Sequence, residues 1–314
     1  MFGLTYIFKA SCGFVEAWSK PKSVLEASRR GELVLFYQPK VDMTTGFTVG
    51  VEALLRWEHP RFGLISPAMF NRALKPGAGV IEVGQWAIQV AIRQISEWNK
   101  AGLTIPISVN VLASELTSGD FCAWLREVFL QYPDVSPAML ELEIVESSNL
   151  SDVRSVIQVL LGCHSMGVKF ALDDFGTGYS SLSYVKNLPA DNIKIDQSFV
   201  KNIVSNHQDR GLVQMVINLA NTFDCAVIAE GVESIEQGLI LMQMGCKYAQ
   251  GYVIAKPMPA ANIPGWIEQY KGHPEWIGCE LQVFLWTRKG SSHNQPIVQP
   301  GEPEQLELAN GTNG

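Results

Sequence analysis

The residues in this chain that could do chemistry are the polar ones that interrupt otherwise apolar runs. Glu52 breaks Val49–Trp57 (VGVEALLRW), Asn110 breaks Ile107–Leu112 (ISVNVL), and Glu143 and Glu146 lie in Glu141–Glu146 (ELEIVE). Asp173 and Asp174 end the run from Val168 to Leu172, Lys194 stands between Ile193 and Ile195, and Glu230 follows Cys225–Ala229 (CAVIA). Each falls in or at the end of a separate strand-like segment. If those strand ends converge, several carboxylates and an amide meet and repel one another unless cations neutralise them. An all-oxygen set of this kind selects hard divalent cations, Mg²⁺ or Mn²⁺, over zinc. An aspartate shared by two such cations about 3.5–4 Å apart is the arrangement that serves phosphodiester hydrolysis. Taken one at a time these residues also have ordinary accounts: a lone Glu on a solvated strand face, an Asp pair in turn chemistry, a surface lysine. Spacing alone leaves both readings open.

The elements that must position these residues follow from apolar periodicity. Leu33–Val41 and Phe47–Trp57 read as two strands joined by a turn at Thr44-Thr45-Gly46, hence a hairpin. Ser66-Pro67 opens a helix. Ile81–Ala101 is a long amphipathic helix, with Trp86, Val90, Arg93, Ile95 and Trp98 near helical spacing. From there strands and helices alternate: Ile105–Leu112, Phe121–Tyr132, Met139–Val145, Asp152–Met166, the strand ending at Leu172, Asn192–Ile195, Asp209–Phe223, Cys225–Ala229, Ile235–Met244, Tyr248–Val253 and Ala261–Tyr270. In Met139–Val145, Glu141, Glu143 and Val145 share one face. Alternating β and α units over about 250 residues predict an α/β fold, a TIM-like (β/α)8 barrel whose first strand pair is antiparallel. In such a barrel, residues at strand C-termini gather at one end.

Composition sets limits on the function. Apolar residues make up 47% of the 314 and charged residues 18%, which supports a large core. A net charge of −7 argues against DNA or RNA as a partner. The six cysteines form no C-x-x-C pair and read as reduced core residues of a cytoplasmic protein. No H-E-x-x-H motif is present, and no run of about 18 uncharged apolar residues marks a membrane segment. Residues 1–20 read as a lead-in or linker remnant, 21–271 as the barrel, and 272–314 as an extension with one further strand at Glu280–Trp286 and disorder after about 290.

Longer motifs carry a resemblance. Glu52-Ala53-Leu54-Leu55-Arg56 matches the E-x-L-x-R signature of the EAL-domain cyclic di-GMP phosphodiesterases. YQPKVDMTTG, HPRFGLISP, LELEIVES, DDFGTGYSSLSYVKNLPADNIKID, AEGVES and GCKYAQGYVIAKPMP match in order over roughly residues 22–270. The resemblance implies hydrolysis of one phosphodiester bond of cyclic di-GMP to give linear 5′-pGpG. It implies two Mg²⁺ or Mn²⁺ ions, with Ca²⁺ inhibitory. One ion would be held by Glu52, Asn110, Glu143 and Asp173, the other by Asp173, Asp174 and Glu230. Lys194 would hold the attacking water, with Glu230 as general base. Arg56 would grip a phosphate, Gln38, Leu54, Glu233 and Gln250 would line the substrate or metals, and Glu146 would anchor the DFGTGYSS loop. Family members often carry a sensor or diguanylate cyclase (GGDEF) domain upstream, and often form homodimers. Leu182, Tyr184 and Val185 are candidates for that contact and equally for a buried helix face. One segment departs from the family pattern: in Asn71–Gly79 an acidic pair is missing and Lys75-Pro76 stands near its place, which bears on substrate affinity. The alternative within the family is a receptor that binds cyclic di-GMP without cleaving it. Such receptors usually lack a ligand or the lysine, whereas every one of those positions is filled here.

Overall fold

The computed structural model describes residues 21–66, 78–145, 153–176 and 188–277. Helix α1 (Pro21–Arg29) leads into a hairpin of β1 (Leu33–Asp42) and β2 (Thr48–His59), followed by the short β3 (Gly63–Ile65) and the long helix α2 (Ala78–Lys100). Then come β4 (Ile107–Val111), α3 (Ala113–Leu116), α4 (Phe121–Gln131), β5 (Leu140–Val145), α5 (Val153–Ser165), β6 (Lys169–Phe175) and β7 (Asn192–Ile195). The chain continues through α6 (Gln197–Lys201), α7 (His207–Thr222), β8 (Ala226–Ala229), α8 (Ile235–Gln243), β9 (Tyr248–Ala249), β10 (Met258–Pro259) and α9 (Ile263–Gln269). Eight of these strands pair in the ring β1–β9–β8–β7–β6–β5–β4–β2, which the β1–β2 hairpin closes, while β3 and β10 flank it. Strand β1 runs antiparallel to both ring neighbours, and the other ring pairs are parallel. This is the expected TIM-like barrel with an antiparallel first pair.

The reversal at β1 has a local cause. Asp42 accepts from Thr44 N at 2.8 Å, and its carbonyl accepts from Gly46 N at 2.8 Å. Gly46 sits at φ 74°, where a side chain is disfavoured. A tight turn therefore joins β1 to β2, where a parallel pair would have needed a helical crossover. Asp120 caps α4 and Asn206 caps α7 with side-chain oxygens, and Ser234 and Gln237 form a capping box on α8.

The apolar core lies between barrel and helices. The buried stripe of α2 is Val83, Ala87, Ile88, Ala91, Ile92, Ile95 and Trp98, with Trp98 edge-on to Tyr37 at 5.2 Å. Each buried Val or Ile contributes about 1.5–3 kcal/mol. This shifts the face read from sequence: Trp86 and Val90 are only partly buried and Arg93 is exposed, because the barrel meets the helix one residue round. Strand β9 is shorter than Tyr248–Val253. The backbone turns at Gly251, where a Cβ would strike the backbone of Val232, and Ile254 N and Ala255 N bond back to Gly251 O. Trp276, beyond residue 271, is fully buried and donates to Ile235 O at 3.0 Å. The helix expected from Pro67, Glu146, the glycine–serine loop after Gly176, Leu182 to Val185, the lead-in and the Glu280–Trp286 strand lie outside the described residues. No helix among the described residues is long and apolar enough to cross a membrane.

One buried acid serves neither core nor ring. Glu115 on α3 is 4% exposed, sits in the notch left by Gly84 on α2, and its Oε2 has no hydrogen-bond partner. Burial pushes its pKa up to about 8. The folded state thus holds a proton that the unfolded chain releases above the ordinary carboxylate range. Stability is lost as pH rises toward 8. Glu115→Gln should therefore raise the melting temperature by a margin that widens from pH 5 to pH 9. A margin independent of pH would contradict this assignment.

Candidate active site

Register delivers the polar side chains to one end of the barrel. Glu52 on β2 lies opposite Gln38 on β1 and Ser108 on β4, and Asn110 on β4 lies opposite Glu143 on β5. Between β6 and β7 the ladder slips: Leu172 pairs with Ile193 and Phe175 with Ile195, so Asp173 and Asp174 together face the single residue Lys194. This is a β-bulge. In regular strand the two aspartates would point to opposite faces. Here Asp174 adopts φ 53°, a left-handed conformation that Asp tolerates better than most residues, and its N–H donates to Asp173 Oδ1 at 3.0 Å. The strand read as ending at Leu172 therefore continues to Phe175 through the bulge. Glu230 follows β8 and is fixed by its N–H to Ile195 O at 3.1 Å.

At the centre is Lys194, which has no exposed surface. Its Nζ lies 2.5 Å from Glu143 Oε2, 2.5 Å from Glu230 Oε1, 3.0 Å from Asp173 Oδ1 and 3.6 Å from Glu52 Oε2. Burial opposes its charge, but Glu143, Glu230, Glu52 and Asp173 together raise its pKa well above the usual lysine value, so it stays an ammonium. The carboxylates are crowded in turn. Burial and the charge of Glu52 raise the pKa of Glu143. Burial, with Asp173 and Glu52, raises that of Glu230 against the pull of Lys194. Burial, Asp173 and Asp196 lift Asp174 to about 6.

Glu52 is oriented from two sides: Asn110 Nδ2 donates to its Oε1 at 2.7 Å, and Gln250 Nε2 to its Oε2 at 2.7 Å. Gln250 Nε2 also reaches Gln38 Oε1 at 2.9 Å, and Gln38 Nε2 donates to Ala255 O at 2.9 Å. Gln38 and Gln250 are thus buried props for Glu52. Leu54 borders both neighbouring cavities, of about 610 and 250 Å³, which share Asp173 and Gln197. The larger runs from Asp173, Asp174 and Asn110 to Glu115 along an apolar wall, and the smaller includes Glu230, Glu233 and Tyr252. Arg56 is half-buried, its guanidinium 5.9 Å over the Phe36 ring and donating to Leu55 O at 2.8 Å.

Below the ring lies a second polar tier that sequence reading missed as part of the site. Lys40 Nζ contacts Ser108 Oγ, Glu141 Oε1 at 2.7 Å and Glu143 Oε1 at 3.2 Å. Glu141 also accepts from Ser108 Oγ at 2.6 Å and from Asn192 Nδ2. Burial would raise Glu141, but Lys40 and these donors hold it at about 2. The signal available in sequence was Lys40 inside the apolar run LVLFYQPKV and the i, i+2 repeat of Glu141 and Glu143.

The residues fit divalent cations. Asp173, Asp174 and Glu230 can each offer one oxygen within 4.8 Å of the others, and all candidate ligands are oxygen donors. Burial first, and then neighbouring carboxylates, raise the pKa values of Asp174, Glu143 and Glu230, so added positive charge would favour their ionised forms.

Comparison with known proteins gives a consistent picture. The profile of the EAL domain matches residues 22–257. The bifunctional diguanylate cyclase/cyclic di-GMP phosphodiesterase MucR of Pseudomonas aeruginosa is 37% identical over 239 residues, which is 76% of this chain and 35% of that protein. The cyclic di-GMP phosphodiesterase PdeR of Escherichia coli is 34% identical over 245 residues, 78% of this chain and 37% of that protein. The chain thus spans about a third of the length of these relatives. The solved structure of the MucR phosphodiesterase in complex with cyclic di-GMP superposes with a TM-score of 0.73 at 37% identity, covering 77% of this chain and 98% of that one. On the match of its sequence and of its barrel, this chain belongs to the EAL domain family.

Proposed function

We propose that this protein hydrolyses cyclic di-GMP to linear 5′-pGpG with the help of two divalent cations, Mg²⁺ or Mn²⁺. The observation that carries this reading is the convergence of Glu52, Asn110, Glu143, Asp173, Asp174 and Glu230, from separate strand ends, around one buried lysine. The likeness to MucR and PdeR supports the choice of substrate. Glu52, Glu143, Asp173 and the Oδ1 of Asn110 would hold one cation, and Asp173, Asp174 and Glu230 the other. When bound, such cations activate water and offset charge on the phosphate. Lys194 supplies a fixed positive charge beside the attacking water without using a coordination position. Glu230, 2.5 Å from Lys194, would take the water's proton at its carboxylate. Arg56, four residues beyond Glu52 on β2, would offer a forked cationic contact to a non-bridging phosphate oxygen. The apolar wall of the 610 Å³ cavity gives a base a dry surface, within the size range of small-ligand sites.

This reading extends to Glu146 as the anchor of the loop after Phe175, to a homodimer, and to a sensor or GGDEF domain in a longer protein, as the length of the relatives suggests. Purified protein incubated with cyclic di-GMP and Mg²⁺ should yield pGpG by chromatography, and Glu52→Ala should lower turnover by at least about 10²-fold, the scale of losing one electrostatic element of a site. Tight binding without product would instead mark a receptor. Glu146→Gln should lower turnover and raise the Mg²⁺ needed for half-maximal rate, with the melting temperature unchanged. An unaltered Mg²⁺ dependence would remove Glu146 from the mechanism.

A further inference from the structure

Glu143 is gripped at both oxygens. Oε2 faces Lys194 at 2.5 Å, and Oε1 faces Lys40 at 3.2 Å from the opposite side. Neither lysine is free to wander. Lys40 is 4% exposed and is itself tied to Ser108 Oγ and to Glu141 Oε1, while Glu141 is tied to Ser108 and Asn192. Lys40 lies opposite Gly50 in the β1–β2 register. Because β1 runs antiparallel, two residues beyond Gln38 lead deeper into the barrel, which brings Lys40 beneath the ring while Gln38 reaches Gln250 within it.

We propose that Lys40 is a positioning residue for the cation site: it fixes the carboxylate plane of Glu143 from below, so that this ligand meets the cation in one orientation. The proposal rests on the reading of Glu143 as a cation ligand. A carboxylate held at one oxygen can swing about its last torsion, which is broad and roughly two-fold, whereas one held at both cannot. Groups that orient metal ligands through hydrogen bonds commonly change metal affinity by 10–100-fold when removed. The same geometry explains why the second tier is a lysine–glutamate pair with every donor and acceptor engaged, where a barrel interior is ordinarily aliphatic.

The test is a calorimetric titration of Mn²⁺ into substrate-free protein, with a thermal melt of the same samples. Lys40→Met should weaken Mn²⁺ binding by about 10–100-fold. At saturating Mn²⁺ its KM for cyclic di-GMP should match wild type, since the substrate contacts are untouched. Lys40→Met leaves Glu141 buried without its partner and could unfold the barrel for that reason alone. The double variant Lys40→Met/Glu141→Leu removes both charges together, a replacement that buried ion pairs often tolerate. It should melt near wild type yet still bind Mn²⁺ weakly. A double variant with wild-type stability and wild-type Mn²⁺ affinity would overturn the proposal and leave Lys40 a partner of Glu141 alone. Absence of Mn²⁺ binding by the wild type would instead overturn the parent reading, and this one with it.

Discussion

Everything in this barrel depends on keeping Lys194 charged among carboxylates at the end of a closed sheet. An ammonium moved out of water is costly, and so is each carboxylate, unless they offset one another with close geometry. Here the offset is incomplete. Lys194 and Lys40 pair with Glu52, Glu141, Glu143, Asp173 and Glu230, and burial together with neighbouring carboxylates still raises the pKa values of Glu143 and Glu230. A buried site of oxygen donors in this state would gain from further positive charge, which is what the proposed cations would supply.

The backbone irregularities are placed where this cluster needs them. The antiparallel β1 carries Gln38 into the ring and Lys40 below it in one pass. The bulge in β6 turns two consecutive aspartates toward one lysine, with the left-handed Asp174 bearing the local strain. The turn at Gly251 follows directly on Gln250, whose side chain braces Glu52. Around these features the surrounding layer is conventional, with aliphatic helix stripes and capped termini holding the ring strands in place.

Much of this was legible in the sequence, and the division follows physical lines. Polar residues inside apolar runs marked Glu52, Asn110, Glu143, Lys194 and Glu230, because an interruption of a buried strand needs a cause. The alternation of strands and helices marked the barrel. Side-chain direction at Asp173 and Asp174 was not legible, since period-two alternation separates neighbours and only the bulge reunites them. Gln38 and Gln250 could be associated with the site, but their bracing of Glu52 depends on closure of β9 onto β1, a contact between residues more than 200 apart in the chain. Lys40 and Glu141 escaped for the same reason: each alone resembles a strand residue facing water, and only register shows them bonded to each other. Glu115 gave no periodic signal, and the burial of its unpaired Oε2 is visible only once Gly84 is seen against it.

The central claim is that these side chains form one site for two cations. Anomalous diffraction from crystals grown with Mn²⁺ tests it most directly. The account predicts two peaks at the mouth of the barrel, one bordered by Glu52, Asn110, Glu143 and Asp173, the second by Asp173, Asp174 and Glu230. Crystals in which the cluster stays metal-free at saturating Mn²⁺, with Lys194 still bonded to all four carboxylates, would contradict it.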